Sequence, residues 1–246
     1  LHDALPISDL DHAELLTRSD IREYARRARR RWEAFHRAPG RESFARVRGD
    51  GPGHLTLVAL GESMEAFTGE PEGPRAGRGV RVEVRSAIPI GRGFGSSAAV
   101  GSAVCLAWLA LEGVEPSRDE VEELLLDVER RQHGEPSGVD AASILRGGLV
   151  WAESAPGGSG LRFRSISAPG ELLERFRVVD TGAPAENTGE VVSAVRERRD
   201  RDPRRIDAAL ERIREATVAF RRLLEGPAPD AADAVELVRG CQRGLE

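Results

Sequence analysis

The run Pro89-Ile-Gly-Arg-Gly-Phe-Gly-Ser-Ser-Ala-Ala99 limits the local fold of this chain more than any other stretch. Glycine adopts left-handed backbone angles without a Cβ penalty and lets a ligand approach the main chain, and here it alternates at 91, 93 and 95. Upstream, Val80, Val82 and Val84 alternate with Arg81, Glu83 and Arg85, the period-two pattern of a strand with one buried face. Downstream, Ser96 and Ser97 open an apolar helix through Val100, Val104, Leu106, Trp108 and Leu111. The first turn of a helix has unpaired N–H groups and carries about half a positive charge. A strand, a glycine loop and a helix start in that order form an anion site suited to phosphate. Read by itself, the run also fits a plain glycine turn with Ser96 as N-cap.

Composition narrows the kinds of phosphate loop. All 36 cationic residues are arginine and no lysine occurs, which excludes a Walker-type lysine, a Schiff-base lysine and a lysine general base. GC-rich codon usage produces such an arginine-only set without any selection for nucleic acid. The spacing is neither that of a P-loop nor that of a dinucleotide fold, and no acidic residue ends a second strand about 20 residues on. Cys105 and Cys241 have no Cys or His at metal-ligand spacing, so a structural zinc site is excluded and a reducing, cytoplasmic setting is expected. The histidines at 2, 12, 36, 54 and 133 form no HExxH pair and no GxSxG elbow occurs, which removes zincin and α/β-hydrolase readings. The longest apolar stretch, Ala103 to Leu111, is far short of the roughly 20 residues needed to span a bilayer. No signal peptide is visible.

At 246 residues and 40% hydrophobic content the chain has material for one to two cored domains. Ile21 to His36 predicts a helix with Ile21, Tyr24, Ala25, Ala28 and Trp32 at helical spacing. Its dense arginines read as a solvated face, because the net charge of −5 argues against a nucleic-acid partner. His54 to Leu60 reads as a strand, and Gly69 to Gly79 as a loop rich in Gly, Pro and Glu.

A second constellation follows the glycine run. Ser117 and Glu120 form a capping box ahead of a helix with Val121, Leu124, Leu125 and Val128 on its apolar side. That helix delivers Glu129 near its end, and the chain turns through His133-Gly-Glu-Pro-Ser-Gly-Val-Asp140 before the pair Gly147-Gly148 and a further strand. Taken alone, Ser137 and Asp140 also match a capping box, and Glu129 beside Arg130 and Arg131 also matches a solvated helix residue. Further on stands Asp180-Thr-Gly-Ala-Pro-Ala-Glu-Asn-Thr188. After it Asn187 and Glu190 can cap a helix, and Ile206, Leu210, Ile213, Phe220 and Leu224 form an apolar stripe on the next.

These motifs resemble the GHMP kinases. The run P-x-x-x-G-F-G-S-S-A is similar to the family's second motif, with Phe94 in place of the usual leucine, and H-G-E-P-S-G-V-D is similar to the mevalonate kinase branch. The resemblance spans roughly residues 50 to 246. It implies an α/β (α+β) two-domain fold: an ATP-binding domain of the ribosomal S5 domain 2 type over 1–170 and a ferredoxin-like domain, expected to be truncated, over 171–246. It also implies phosphoryl transfer from MgATP to the primary hydroxyl of mevalonate or a related alcohol. Gly91, Gly93, Gly95, Ser96, Ser97 and Ala98 would hold the nucleotide phosphates, Ser97 and Glu129 would bind Mg2+, and Asp140 would accept the substrate's proton. His133, Ser137, Gly138 and Thr181 would line the substrate pocket.

Phosphomevalonate kinase, a sugar kinase of the same superfamily and a non-catalytic nucleotide-binding paralogue are the rival readings. No membrane or nucleic-acid partner is implied, and a homodimer stays open. The family's N-terminal lysine motif and C-terminal glycine-rich motif do not occur. The expectation is therefore an internal stretch of a longer enzyme, inactive by itself, with Leu1 to Ser8 a candidate foreign segment.

Overall fold

The computed structural model describes residues 15–47, 49, 51–68, 80–155, 157, 160–182, 188–227 and 229–245. In chain order these form α1 (Arg18–Arg37), α2 (Arg41–Val47), α3 (His54–Phe67), α4 (Ser96–Glu112), α5 (Arg118–His133), α6 (Val139–Arg146), β1 (Leu149–Ser154), β2 (Leu161–Ile166), α7 (Gly170–Leu173), α8 (Thr188–Arg201), α9 (Pro203–Leu224) and α10 (Ala231–Leu245). The architecture is mixed and mostly helical, with a single two-stranded sheet of β1 and β2 among the described residues. Two compact units arise, one of residues up to Gly147 with Ala152–Phe163, the other of Gly148–Trp151 with Arg164–Glu246. No described helix is long and apolar enough to cross a membrane.

The first unit is built around α3, and here the structure corrects the sequence reading. His54 to Leu60 is no strand but the first half of a 14-residue helix. An apolar run this short fits a buried strand or a buried helix equally well, and packing against both α1 and α4 decides the matter. Val58, Ala59, Leu60 and Met64 join Val104, Cys105, Trp108 and Leu109 of α4 and Leu124, Leu125 and Val128 of α5 in one core. A Cβ on Gly61 would lie 2.4 Å from Ala25 Cβ and 2.9 Å from the Ile21 carbonyl oxygen. Glycine at that position lets the backbones of α1 and α3 approach more closely than side chains would allow.

The arginine-rich face of α1 is also more than a solvated surface. Arg22 is only 6% exposed, its guanidinium donating to Glu65 at 3.1 Å and to the Thr68 carbonyl at 2.6 Å. Arg29 donates to Glu62 at 2.6 Å. Glu62 is itself buried and also pairs with Arg131 of α5 at 3.3 Å. The sequence pattern concealed this network because its acidic half, Glu62 and Glu65, lies past the segment expected as a strand, on the second half of α3. Burial accounts for Cys105 as well, whose thiol is pushed up to about 12, chiefly by desolvation.

The expected strand at Val80, Val82 and Val84 does not form. These valines are 42–45% exposed and no described strand pairs with them. Alternation makes a strand only where a neighbouring edge accepts its backbone bonds. The strand after Gly147-Gly148 is present as β1, and the Ala155 N–H donates to the Gly160 carbonyl at 3.0 Å to close the turn toward β2.

In the second unit, Phe176 meets Phe220 of α9 edge-on at 6.2 Å, and Arg221 lies 4.3 Å over the Trp151 ring. Leu224, the last residue of the expected apolar stripe, is buried. Leu1 to Ser8, the Gly69–Gly79 loop, Asn187 and the side chains of Thr188 and Glu190 lie outside the described residues.

Candidate functional site

The glycine run behaves as its composition requires. Gly91, Gly93 and Gly95 have φ of 70°, 77° and 68°, a region that side chains with a Cβ avoid. Gly95, not Ser96, is the N-cap of α4, and no side-chain bond caps the helix. The first intrahelical bond runs from the Ala99 N–H to the Gly95 carbonyl at 3.0 Å. The N–H groups of Ser96, Ser97 and Ala98 thus stand at a helix start with its partial positive charge.

The second constellation is positioned by α5. Its capping box forms as expected, with the Glu120 carboxylate accepting from the Ser117 N–H at 2.8 Å and the Ser117 hydroxyl accepting from the Glu120 N–H at 3.3 Å. Sixteen residues of helix then place Glu129 and His133 one turn apart on the same side. α5 packs beside the start of α4, so Ser97, Ala98, Glu129 and His133 line one cleft. His133 Nε2 lies 3.1 Å from Ser97 Oγ, which joins the two motifs directly.

Glu129 is no solvated helix residue. It is 6% exposed, and its carboxyl is pushed up to about 7, first by burial and then by the negative charge of Asp140, against a bond from the Ala141 N–H that lowers it. Asp140 is exposed in the first turn of α6. The capping-box alternative for Asp140 is not formed, since Gly138 is the N-cap of α6 and the Ser137 hydroxyl accepts from the Val139 N–H at 3.3 Å. Gly138 has φ of 78°, and its face points at Leu126 and Phe163. Ser137 is exposed beside it. Thr181 belongs to the second unit, where it is exposed next to a turn in which Asp180 accepts from the Gly182 N–H at 2.8 Å.

The donors fit a hard divalent cation. Glu129 and Ser97 offer oxygen, and burial together with the nearby Asp140 carboxylate disfavours charge on Glu129, a penalty that a cation would relieve. No group of three or more His, Cys, Asp or Glu side chains suited to a metal occurs among the described residues. An ion bound there would complete its shell from water or ligand oxygens, as magnesium does.

The sequence reading missed the apolar side of this cleft, formed by Leu55, Gly101, Val128 and Ala141, and also Gln132. Gln132 follows Glu129 by three positions on a helix, so its place was legible from periodicity. Leu55 was hidden by the mistaken strand.

Residues 57–148 match the family described as GHMP kinases N terminal domain. Over that stretch the chain is similar to a GHMP kinase N-terminal domain. The matched residues include the glycine run, Glu129, His133 and Asp140. The chain is 33% identical over 139 residues, 56% of its length, to a protein named mevalonate kinase from Thermococcus gammatolerans, covering 39% of that enzyme. It is 32% identical over 133 residues to the mevalonate kinase of Pyrococcus horikoshii, covering 54% of this chain and 37% of that one. Against the mevalonate kinase of Aeropyrum pernix it is 39% identical over 67 residues, 27% of this chain and 21% of that enzyme. The chain thus spans about two fifths of the length of the first curated relatives it matches. No solved structure matches it significantly.

Proposed function

We propose that this GHMP kinase domain serves an enzyme that transfers the γ-phosphoryl group of MgATP to the primary hydroxyl of mevalonate, in isoprenoid precursor synthesis. The observation that carries the reading is the 3.1 Å contact of His133 with Ser97, which brings the glycine run and the H-G-E-P-S-G-V-D turn to one cleft with Glu129 between them. The mevalonate kinases among the relatives support mevalonate over other alcohols.

Bound MgATP supplies the transferable phosphoryl group and the charge neutralisation that such transfer needs. This chain's residues do the rest by position. Gly91, Gly93 and Gly95 bring the backbone close to the phosphates, and the N–H groups of Ser96, Ser97 and Ala98 donate to them. The Ser97 hydroxyl and Glu129 carboxylate would hold the magnesium as hard oxygen donors. Asp140, exposed at the start of α6, orients the substrate hydroxyl and accepts its proton. His133, Ser137 and Gly138 shape the substrate side. Residues 1–170 act as the ATP-binding domain and 171–246 as part of a second domain. Two free cysteines suit a reducing cytoplasm.

An ADP-release assay on the full-length enzyme with mevalonate, phosphomevalonate, homoserine and galactose tests the reading, with Asp140→Asn as control. Turnover is expected with mevalonate and is expected to vanish in the variant. Turnover that survives Asp140→Asn overturns the role of Asp140, and turnover on galactose alone overturns the substrate.

A further inference from the structure

We propose that Trp32 and His54, both N-terminal to the matched residues 57–148, are positioning residues that hold the His133–Asp140 turn in register with the phosphate loop. The functional meaning of this clamp rests on the kinase reading above; its geometry does not.

The last carbonyls of a helix have no donor within the helix and must find one elsewhere. At the end of α5 the Gly134 N–H returns to the Arg130 carbonyl at 3.0 Å. The next partners come from other helices. His54 Nε2 lies 3.0 Å from the Arg131 carbonyl, and because a carbonyl only accepts, Nε2 carries the proton. Trp32 Nε1–H donates to the Gly134 carbonyl at 2.7 Å. Two ring N–H groups, from α1 and α3, thus grip carbonyls on either side of His133, the residue that reaches Ser97.

Both rings are held in turn. His54 is 3% exposed, with the Tyr24 hydroxyl 2.8 Å from its Nδ1. Trp32 stacks on His36 with centroids 5.3 Å apart and carries the Arg131 guanidinium 4.8 Å from its ring. Gly134, at φ 78°, sits close against the Phe35 ring, which a Cβ there would approach to 2.8 Å. A rigid planar donor fixes its acceptor in direction as well as distance, so the exit of α5, and with it the path toward Asp140, has one position. Neither ring lines the cleft, and both act through the turn.

Trp32→Phe keeps the ring and removes the donor. Amide hydrogen exchange on the purified protein is expected to speed up about tenfold over residues 133–140, the loss of one buried hydrogen bond, while α4 residues 104–109 stay protected. In phosphoryl transfer kcat is expected to fall about tenfold with the KM for ATP unchanged. Unchanged exchange over 133–140, equal acceleration across α3 and α4, or faster exchange with unchanged kcat overturns the proposal. If Trp32→Phe does not fold, Tyr24→Phe, which releases the His54 ring, is read by the same exchange criterion. Faster local exchange together with no phosphate transfer to any alcohol by the full-length wild-type protein supports the clamp and sinks the kinase reading instead.

Discussion

His133 Nε2 and Ser97 Oγ meet at 3.1 Å although 36 positions separate them. The contact ties the end of one helix to the start of another, so a change at either residue is felt in both motifs. Replacing Ser97 by Ala removes the hydroxyl from the phosphate loop and from His133 together. A loss of about tenfold to a thousandfold in kcat/KM is expected, the range for removing one preorganised polar contact at a developing charge. Steady-state kinetics over varied Mg2+ are the check. A loss that high Mg2+ does not relieve would place the effect outside metal binding.

Glu129 gives the protein a pH dependence of definite sign. Its carboxyl is raised from 4.5 to about 7 in the folded state. The folded protein therefore holds a proton that the unfolded chain releases, and stability falls as pH rises through that window. The fall amounts to roughly 2–3 kcal/mol between about pH 4.5 and about pH 7.5 in the absence of divalent cations. Thermal melts across this range are expected to show the slope in the native protein and to lose it in Glu129→Gln. Added Mg2+ is expected to stabilise more at higher pH, because ion and proton compete for one carboxylate.

Glu62 compensates two arginines inside the first unit. It is 2% exposed and contacts Arg29 at 2.6 Å and Arg131 at 3.3 Å. Glu62→Gln leaves the buried Arg131 guanidinium with Asp127, itself partly exposed, as its one carboxylate partner among the described residues, at 3.3 Å. A cost of about 3 kcal/mol is expected, as for breaking a buried pair from one side. Urea unfolding measures it. A change below about 1 kcal/mol, the scale of a surface pair, would show that solvent reaches the network.

Gly61 offers a test in which two effects oppose each other. Alanine is the better helix former by about 1 kcal/mol, yet its Cβ would sit 2.4 Å from Ala25 Cβ and 2.9 Å from the Ile21 carbonyl. Since the second obstacle is backbone, the helices must separate, and Gly61→Ala is expected to destabilise by roughly 1–3 kcal/mol. Equal or greater stability in denaturant would mean that α1 and α3 do not approach as closely as described.

Motifs whose chemistry depends on local backbone were legible in the sequence. The glycine run had to turn left-handed because its residues permit it, the Ser117–Glu120 box had to start a helix, and Glu129 fell near that helix's end by simple counting. The family they indicate followed from residue identity, and a shared site for them followed from that resemblance. Only the tertiary structure decided the short apolar segments. His54 to Leu60 became a helix because α1 and α4 bury it on both sides, while Val80 to Val84 remained without a strand because no described edge pairs with it. Periodicity records which faces prefer burial, but not what lies opposite them. For the same reason the network of Arg29, Glu62 and Arg131, and the reach of Trp32 to Gly134, appeared only when distant helices were brought into contact.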